Sequence, residues 1–163
     1  MQDDSPTFEP FSRHPRGTMV TLLRSGYSFE PRYERDWLTA WEQADAFFYD
    51  HLPIADRCGF VTTLAGLPVG FICWDPRACP DRIEVGHNCI AADFKGRGLG
   101  KAQLAEAVNR MLALHPRKIT VTTDTLLLPA QRNYEDAGFR LVGTRENPWN
   151  QAYAGRLMDY ERP

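Results

Sequence analysis

The chain has 163 residues, 43% hydrophobic and 25% charged, with 19 Lys and Arg against 21 Asp and Glu for a formal net charge of −2. That length can bury a real core, the balance is that of an ordinary globular protein, and so small a charge gives no field for a long anionic polymer, so nucleic acid is not an expected partner. No apolar run approaches the roughly 20 residues of a bilayer span, and the acidic opening Met1-Gln2-Asp3-Asp4 has no apolar segment behind it, unlike a secretory signal; no membrane association and a cytoplasmic location are expected.

One domain over 1–163 is expected, with no internal repeat or low-complexity tract. The first 15 residues carry Pro6, Pro10 and Pro15 with little periodicity and read as an irregular arm. Met19, Val20, Leu22 and Leu23 fit a short helix or a strand, and periodicity does not decide between them. From Glu34 to Tyr49, the spacing of Trp37, Leu38, Trp41, Ala44, Phe47 and Phe48 makes one apolar helix face. Two strand-like runs, Gly59–Leu64 and Val69–Trp74, flank Ala65-Gly66-Leu67-Pro68 and predict an antiparallel hairpin. Arg82–Ile90 predicts a third strand, where Gly86 suggests a bulge or a close backbone approach.

Leu104, Val108, Met111 and Leu112 then fall on one helical stripe that Pro116 ends. Lys118–Thr123 alternates as a strand, Pro129 suits the first turn of another helix, and Gly138 suits its C′ position. Phe139–Gly143 and Arg156–Tyr160 predict two closing strands, and the whole order suggests a mixed sheet with helices on its faces. Cys58, Cys73, Cys79 and Cys89 show neither a CxxC pair nor zinc spacing, so no metal is expected. Cys58, Cys73 and Cys89 sit in apolar runs and read as small hydrophobes of a reduced protein.

The segment richest in chemistry is Phe94-Lys95-Gly96-Arg97-Gly98-Leu99-Gly100-Lys101, between a strand and a helix. Alternating glycines let a backbone turn sharply and present N–H groups with no Cβ in the way. A helix N-terminus adds unpaired amides and partial positive charge, and Lys95, Arg97 and Lys101 add cations suited to a pyrophosphate. A P-loop would need Gly where Lys95 stands and Ser or Thr where Ala102 stands. A dinucleotide fingerprint starting at Gly96 would need Gly or Ala where Lys101 stands. Both patterns fail, and a plain glycine turn with solvated charges remains as the bland alternative.

Lys95-Gly96-Arg97-Gly98-Leu99-Gly100 resembles the acyl-CoA loop of the GNAT superfamily of N-acetyltransferases, Q/R-x-x-G-x-G/A, with lysine in the first position. Downstream, Ala130-Gln131-Arg132-Asn133-Tyr134-Glu135-Asp136-Ala137-Gly138-Phe139 resembles the late motif of that family, A-x-x-x-Y-x-x-x-G-F. The two motifs with their flanking strands run from Ile83 to Val142. The resemblance implies a mixed, mostly antiparallel α/β (α+β) sheet flanked by helices, with a splayed strand pair that takes the acyl-CoA. It implies acetyl-CoA as acyl-donor co-substrate, with pantetheine against the backbone of Cys89, Ile90 and Ala91 and pyrophosphate on the amides of Arg97 to Lys101. Many members place an Asn where this chain has Leu127, and Asp124, Thr125 or Asn133 are the candidate substitutes.

The implied reaction is direct attack of an amine on the thioester in a ternary complex. An alkylamine has a pKa near 10.4, so a base must first remove a proton, and the leaving thiolate benefits from an acid. Tyr134 matches the family's general acid, against the alternative of a buried aromatic bonded to backbone. Glu84, on the strand before the loop, and His87, closer to the expected thioester, are alternative bases; strand alternation puts them on opposite faces unless Gly86 bulges. A non-catalytic acyl-CoA-binding module of the same fold is the alternative to an enzyme.

The acceptor, a small-molecule or peptide amine, is expected against the early helices, the hairpin and the closing strands. Tyr33, Trp37, Trp41, Trp74, Trp149 and Tyr153 come from there, although Trp37 and Trp41 also suit a helix core. Asp36, Asp45 and Asp50 could attract a cation or form a solvated helix face. A homodimer is open to such domains, and no residue points to one.

Overall fold

The structure, a computed structural model, describes residues 4–147 and 155–163. In chain order the described elements are β1 (Thr7–Glu9), a 3-10 turn (Phe11–Arg13), α1 (Thr18–Gly26), α2 (Pro31–Asp50), α3 (Leu52–Arg57), β2 (Gly59–Leu64) and β3 (Leu67–Asp75). There follow β4 (Ile83–Ile90), a 3-10 turn (Ala92–Phe94), α4 (Leu99–Leu112), β5 (Ile119–Asp124), α5 (Leu128–Asp136), β6 (Arg140–Glu146) and β7 (Arg156–Arg162). The strands lie in the order β1-β2-β3-β4-β5-β7-β6 in one seven-stranded sheet. The pairs β1–β2, β2–β3, β5–β7 and β6–β7 are antiparallel, and β4–β5 is parallel. This is the mixed, mostly antiparallel sheet with helices expected from the sequence. The chain forms two compact units, Met1–Cys73 with His87–Gln103 and Trp74–Gly86 with Leu104–Pro163.

In the first unit, the ambiguous 16–25 segment is a helix. Its N-terminus is capped from outside: the buried Asp45 carboxylate of α2 accepts from the amides of Gly17 (3.0 Å), Met19 (3.1 Å) and Val20 (3.4 Å). Three orphan donors and a helix dipole therefore meet one anion. Helix α2 starts earlier than its apolar stripe, because Glu30 accepts from the Arg32 amide at 3.1 Å and Pro31 fits the first turn.

The described part of the arm, 4–15, is more ordered than its prolines suggest. Thr7–Glu9 pairs along β2, from Thr7↔Thr63 to Glu9↔Val61, and Phe8 meets Phe60 edge-on at 5.0 Å. Phe11 is fully buried against Phe48 and Phe71. The hairpin turn is only Ala65-Gly66, both at positive φ (49° and 79°), between Leu64 and Leu67. Pro68 stands inside β3 opposite Thr63, beside a register shift that leaves Val69 as the extra residue, the kind of irregularity where a strand tolerates proline.

In the second unit, Ile83, Leu104, Met111, Ile119 and Tyr160 form the buried centre. His115 at φ 55° and the proline after it end the helical turn that follows α4. Helix α5 stops at a full Schellman motif: Gly138 (φ 89°) donates to Glu135 O at 3.0 Å and Phe139 donates to Tyr134 O at 3.0 Å.

Candidate functional site

The glycine cluster forms an exposed loop from Lys95 to Gly98 that runs into α4, and Leu99 buries to anchor the first turn. Gly96 and Gly98 stand at φ 77° and 79°, and a Cβ added at either would meet no atom within 4 Å. The loop thus presents bare backbone to open space, which suits close approach of a phosphate. The Ala102 amide reaches back to Gly98 O at 3.1 Å, so the amides just before it belong to the helix's unsatisfied first turn.

Its cations do not act alike. Lys101 is exposed on that first turn. Arg97 donates to Asp93 O at 3.2 Å and lies 5.1 Å from the Phe94 ring centre. The Lys95 ammonium instead donates to Gly26 O and lies 4.6 Å from the centre of the Phe29 ring. Burial of this amine lowers its pKa from the usual lysine value.

The strand leading to the loop is held by a residue that the sequence reading passed over. Gln103 of α4 is fully buried, and its amide nitrogen donates to Phe71 O (2.9 Å), Asn88 Oδ1 (2.8 Å) and Cys89 O (3.2 Å). Its oxygen accepts from the buried Thr62 hydroxyl at 2.7 Å. The Ala91 amide donates to Val69 O, the bulged residue of β3, at 2.7 Å. Within the span Cys89, Ile90 and Ala91, the Cys89 carbonyl and the Ala91 amide are therefore engaged inside the protein. Cys89 and Cys73 are buried free thiols whose pKa burial pushes up to about 12, so neither is a nucleophile near neutrality. His87 is half-buried on the same strand, 6.5 Å from the Phe71 ring, and burial lowers its pKa.

In the second unit, Tyr134 is 4% exposed. Its ring packs on Phe139 at 5.6 Å and on Tyr160 at 6.1 Å. The Phe139 contact is the hydrophobic clasp that accompanies the Schellman stop, so the ring has a structural task whatever its hydroxyl does. The Tyr160 hydroxyl donates to Glu135 at 3.1 Å. Glu84 is exposed and lines a cleft with Asp75, Arg77, Ala78 and Arg82. Arg145, which holds Asp159 at 2.9 Å, lies near enough to Glu84 for their charges to interact.

The parallel register of β4 on β5 covers Ile83↔Ile119 and Glu84↔Thr120. Of the three substitutes for the missing asparagine, Asp124 accepts from the Leu126 amide at 2.8 Å in a local turn, and Thr125 accepts from the Arg156 amide at 3.0 Å, a tie to the start of β7. Asn133 is half-buried on α5.

Among the acceptor-side aromatics, Tyr33, Trp41 and Trp74 are core residues and Trp37 is half-buried. Trp149 and Tyr153 lie outside the described residues. Asp45 is corrected from a cation lure to the helix cap described above, Asp36 pairs with Arg35 at 2.8 Å, and Asp50 pairs with Arg16. Among the described residues, no group of His, Cys, Asp and Glu is placed to hold a metal ion, and no helix is long and apolar enough to cross a membrane.

A strand that ends in a glycine loop, opens a helix and is followed by a tyrosine-bearing helix stopped by Gly-Phe defines a protein of the GNAT class. The model of the acetyltransferase (GNAT) family matches residues 22–139, and the chain belongs to that family. Among curated proteins it resembles the N-acetylaspartate synthetase of Danio rerio, 26% identical over 90 residues, a match that spans 55% of this chain and 32% of that longer relative. Among solved structures, the ribosomal-protein-S18-alanine N-acetyltransferase of Escherichia coli superposes with a TM-score of 0.74 at 15% identity over 98% of this chain and 94% of its own. A GNAT family acetyltransferase from Elizabethkingia anophelis with acetyl-CoA bound gives 0.66 at 16% identity over 98% and 99%.

Proposed function

We propose that this chain is an acetyl-CoA-dependent N-acetyltransferase that passes an acetyl group directly to an amine within a ternary complex. The observation that carries this reading is the bare, positive-φ backbone of Gly96 and Gly98 at the mouth of α4, in a chain of the GNAT family. Acetyl-CoA, when bound, supplies an activated acyl group and a thiolate leaving group. The amides from Arg97 to Lys101 hold its diphosphate, with Lys101 as the accessible cation. Backbone groups of Cys89 to Ala91, with Asn133, orient the pantetheine.

The chemistry forms one C–N bond and breaks one C–S bond. A base takes the proton that the attacking amine must lose, and the Tyr134 hydroxyl gives a proton to the departing sulfur. His87 and Glu84 are the two bases proposed. Burial lowers the His87 pKa, which keeps the imidazole neutral at pH 7, the form a base requires. Glu84 faces solvent in a cleft with Arg82, where an amine can reach it. Cys58, Cys73 and Cys89 are buried as small hydrophobes, which favours a reducing, cytoplasmic setting.

The test is release of free CoA thiol from acetyl-CoA with a panel of amines. The panel holds simple alkylamines, a peptide N-terminus and aspartate, whose N-acetyl form is the product named for the Danio rerio relative. Tyr134→Phe keeps the ring clasp on Phe139 and removes only the hydroxyl, so turnover should fall about 10²-fold with the fold intact. Unchanged turnover with chemistry rate-limiting removes Tyr134 from the reaction. Binding of acetyl-CoA without turnover across the panel points instead to an acyl-CoA-binding module.

A further inference from the structure

The lysine at the head of the glycine loop is the feature that the acetyl-transfer reading leaves without a task. Its ammonium is engaged by Gly26 O at the end of α1 and by the Phe29 ring beyond it. Two more contacts join the same segments. The Ala92 amide donates to the Ser25 hydroxyl at 3.0 Å. Gly26 also lies so close to the end of β4 that a Cβ there would stand 2.9 Å from Ile90 O and 3.2 Å from Cys89 Cβ.

What Lys95 grips is a short connection between two helices. Residues 27–30 link α1 to α2, and Phe29 is 56% exposed. Its ring meets Tyr27 at 6.4 Å and Tyr33 at 5.7 Å, while Tyr27 meets Trp41 at 5.6 Å. Tyr33 and Trp41 are buried, so a shift of Phe29 is felt by a cluster rooted in the core.

We infer that Lys95 is a positioning residue that latches the connection after α1 to the glycine loop, so that fixing the loop on a diphosphate also fixes residues 25–30 and their aromatic cluster. The physical basis is a shared residue: Lys95 adjoins Gly96, in a loop whose backbone faces open solvent, while its side chain ends on Gly26 and Phe29. Ordering the loop restricts the Lys95 backbone, and the ammonium carries that restriction to its two partners, a charged donor on a carbonyl and a cation on a ring. The lysine thus differs in task from Lys101: it holds protein, while Lys101 is left for the ligand. The inference rests on the acyl-CoA reading for the identity of the diphosphate.

Hydrogen exchange of the full chain, read with and without acetyl-CoA in the wild type, Lys95→Met, Lys95→Arg and Ser25→Ala, tests it. In the wild type, acetyl-CoA slows exchange both at 96–102 and at 25–30. In Lys95→Met the slowing at 96–102 persists, while that at 25–30 falls by about tenfold, the worth of one hydrogen bond to a charged group. Lys95→Arg restores much of it, and Ser25→Ala, which breaks the neighbouring tie alone, weakens it partly.

Full retention of the slowing at 25–30 in Lys95→Met overturns the latch. So does loss of slowing at 96–102 in that variant, because Lys95 would then hold the phosphate itself. Absence of slowing at 96–102 in the wild type is a different failure: it removes the acyl-CoA reading, and the latch with it.

Discussion

Gln103 carries the sharpest stability prediction. Replacing it by leucine keeps the volume roughly constant and deletes all four of its hydrogen bonds at a site with no exposed surface. Phe71 O and Cys89 O are carbonyls with a second lone pair each, so their loss falls at the low end of the range for a buried polar group. The Thr62 hydroxyl, itself fully buried, loses the acceptor that Gln103 gives it. At about 1 kcal/mol for each of these three groups, Gln103→Leu costs about 3 kcal/mol. In a chain of this size that lowers the melting temperature by about 6–12 °C.

Urea unfolding monitored by far-UV circular dichroism gives the free energy directly, and the double variant Thr62→Val/Gln103→Leu gives an internal control. Removing both ends of the Thr62–Gln103 bond should recover about 1 kcal/mol relative to Gln103→Leu alone, because matched apolar groups replace an orphaned hydroxyl. A Gln103→Leu protein within about 0.5 kcal/mol of wild type, the range of an ordinary surface substitution, refutes the network as a structural element.

Two further predictions follow from the same unit. Asp45→Ala should cost about 1–2 kcal/mol in urea unfolding, because it uncaps α1, and Asp45→Asn should retain part of that; no loss with alanine would mean that water caps the helix as well. His87 titrates near 6.5 when unfolded and lower when folded, so its contribution is complete above about pH 6.5 and is lost as the pH falls through the folded value. His87→Asn should therefore flatten the acid side of the stability profile measured from pH 7 to 5, and an unchanged profile would show that this imidazole does not differ between the two states.

The sheet was legible because its strands and helices declare themselves locally. The hairpin strands are apolar runs about a turn dipeptide, α4 has an apolar stripe, and α5 is bracketed by Pro129 and Gly138. What failed to show depends on partners far along the chain. Thr7–Glu9 is a strand only because β2 offers it an edge. Helix α3 is six residues long, too short for a periodic signal.

In the site, the glycine loop and the Tyr134 helix were readable as motifs, while the reach of the Lys95 ammonium to α1 was not. Nothing in a linear reading brings Gly26 to Lys95. Gln103 and Asp45 did leave a signal. Gln103 shares the face of Ala107 and Met111, and Asp45 lies four residues beyond Trp41 on the buried side of α2. A polar residue in an apolar stripe is a buried hydrogen-bonding group in need of partners. The Schellman stop explains why Tyr134, Gly138 and Phe139 occur together, which the motif alone does not.

Acetyl-CoA binding is the most direct test of the whole account. Thermal melting is measured with acetyl-CoA, ATP and NAD at equal concentration. At about one hundred times its dissociation constant, acetyl-CoA should add about 2.7 kcal/mol, a rise of roughly 5–10 °C, with no comparable rise from ATP or NAD. A protein that melts cooperatively and shows no shift at saturating acetyl-CoA would contradict the account and leave the Lys95–Gly98 loop as an ordinary turn.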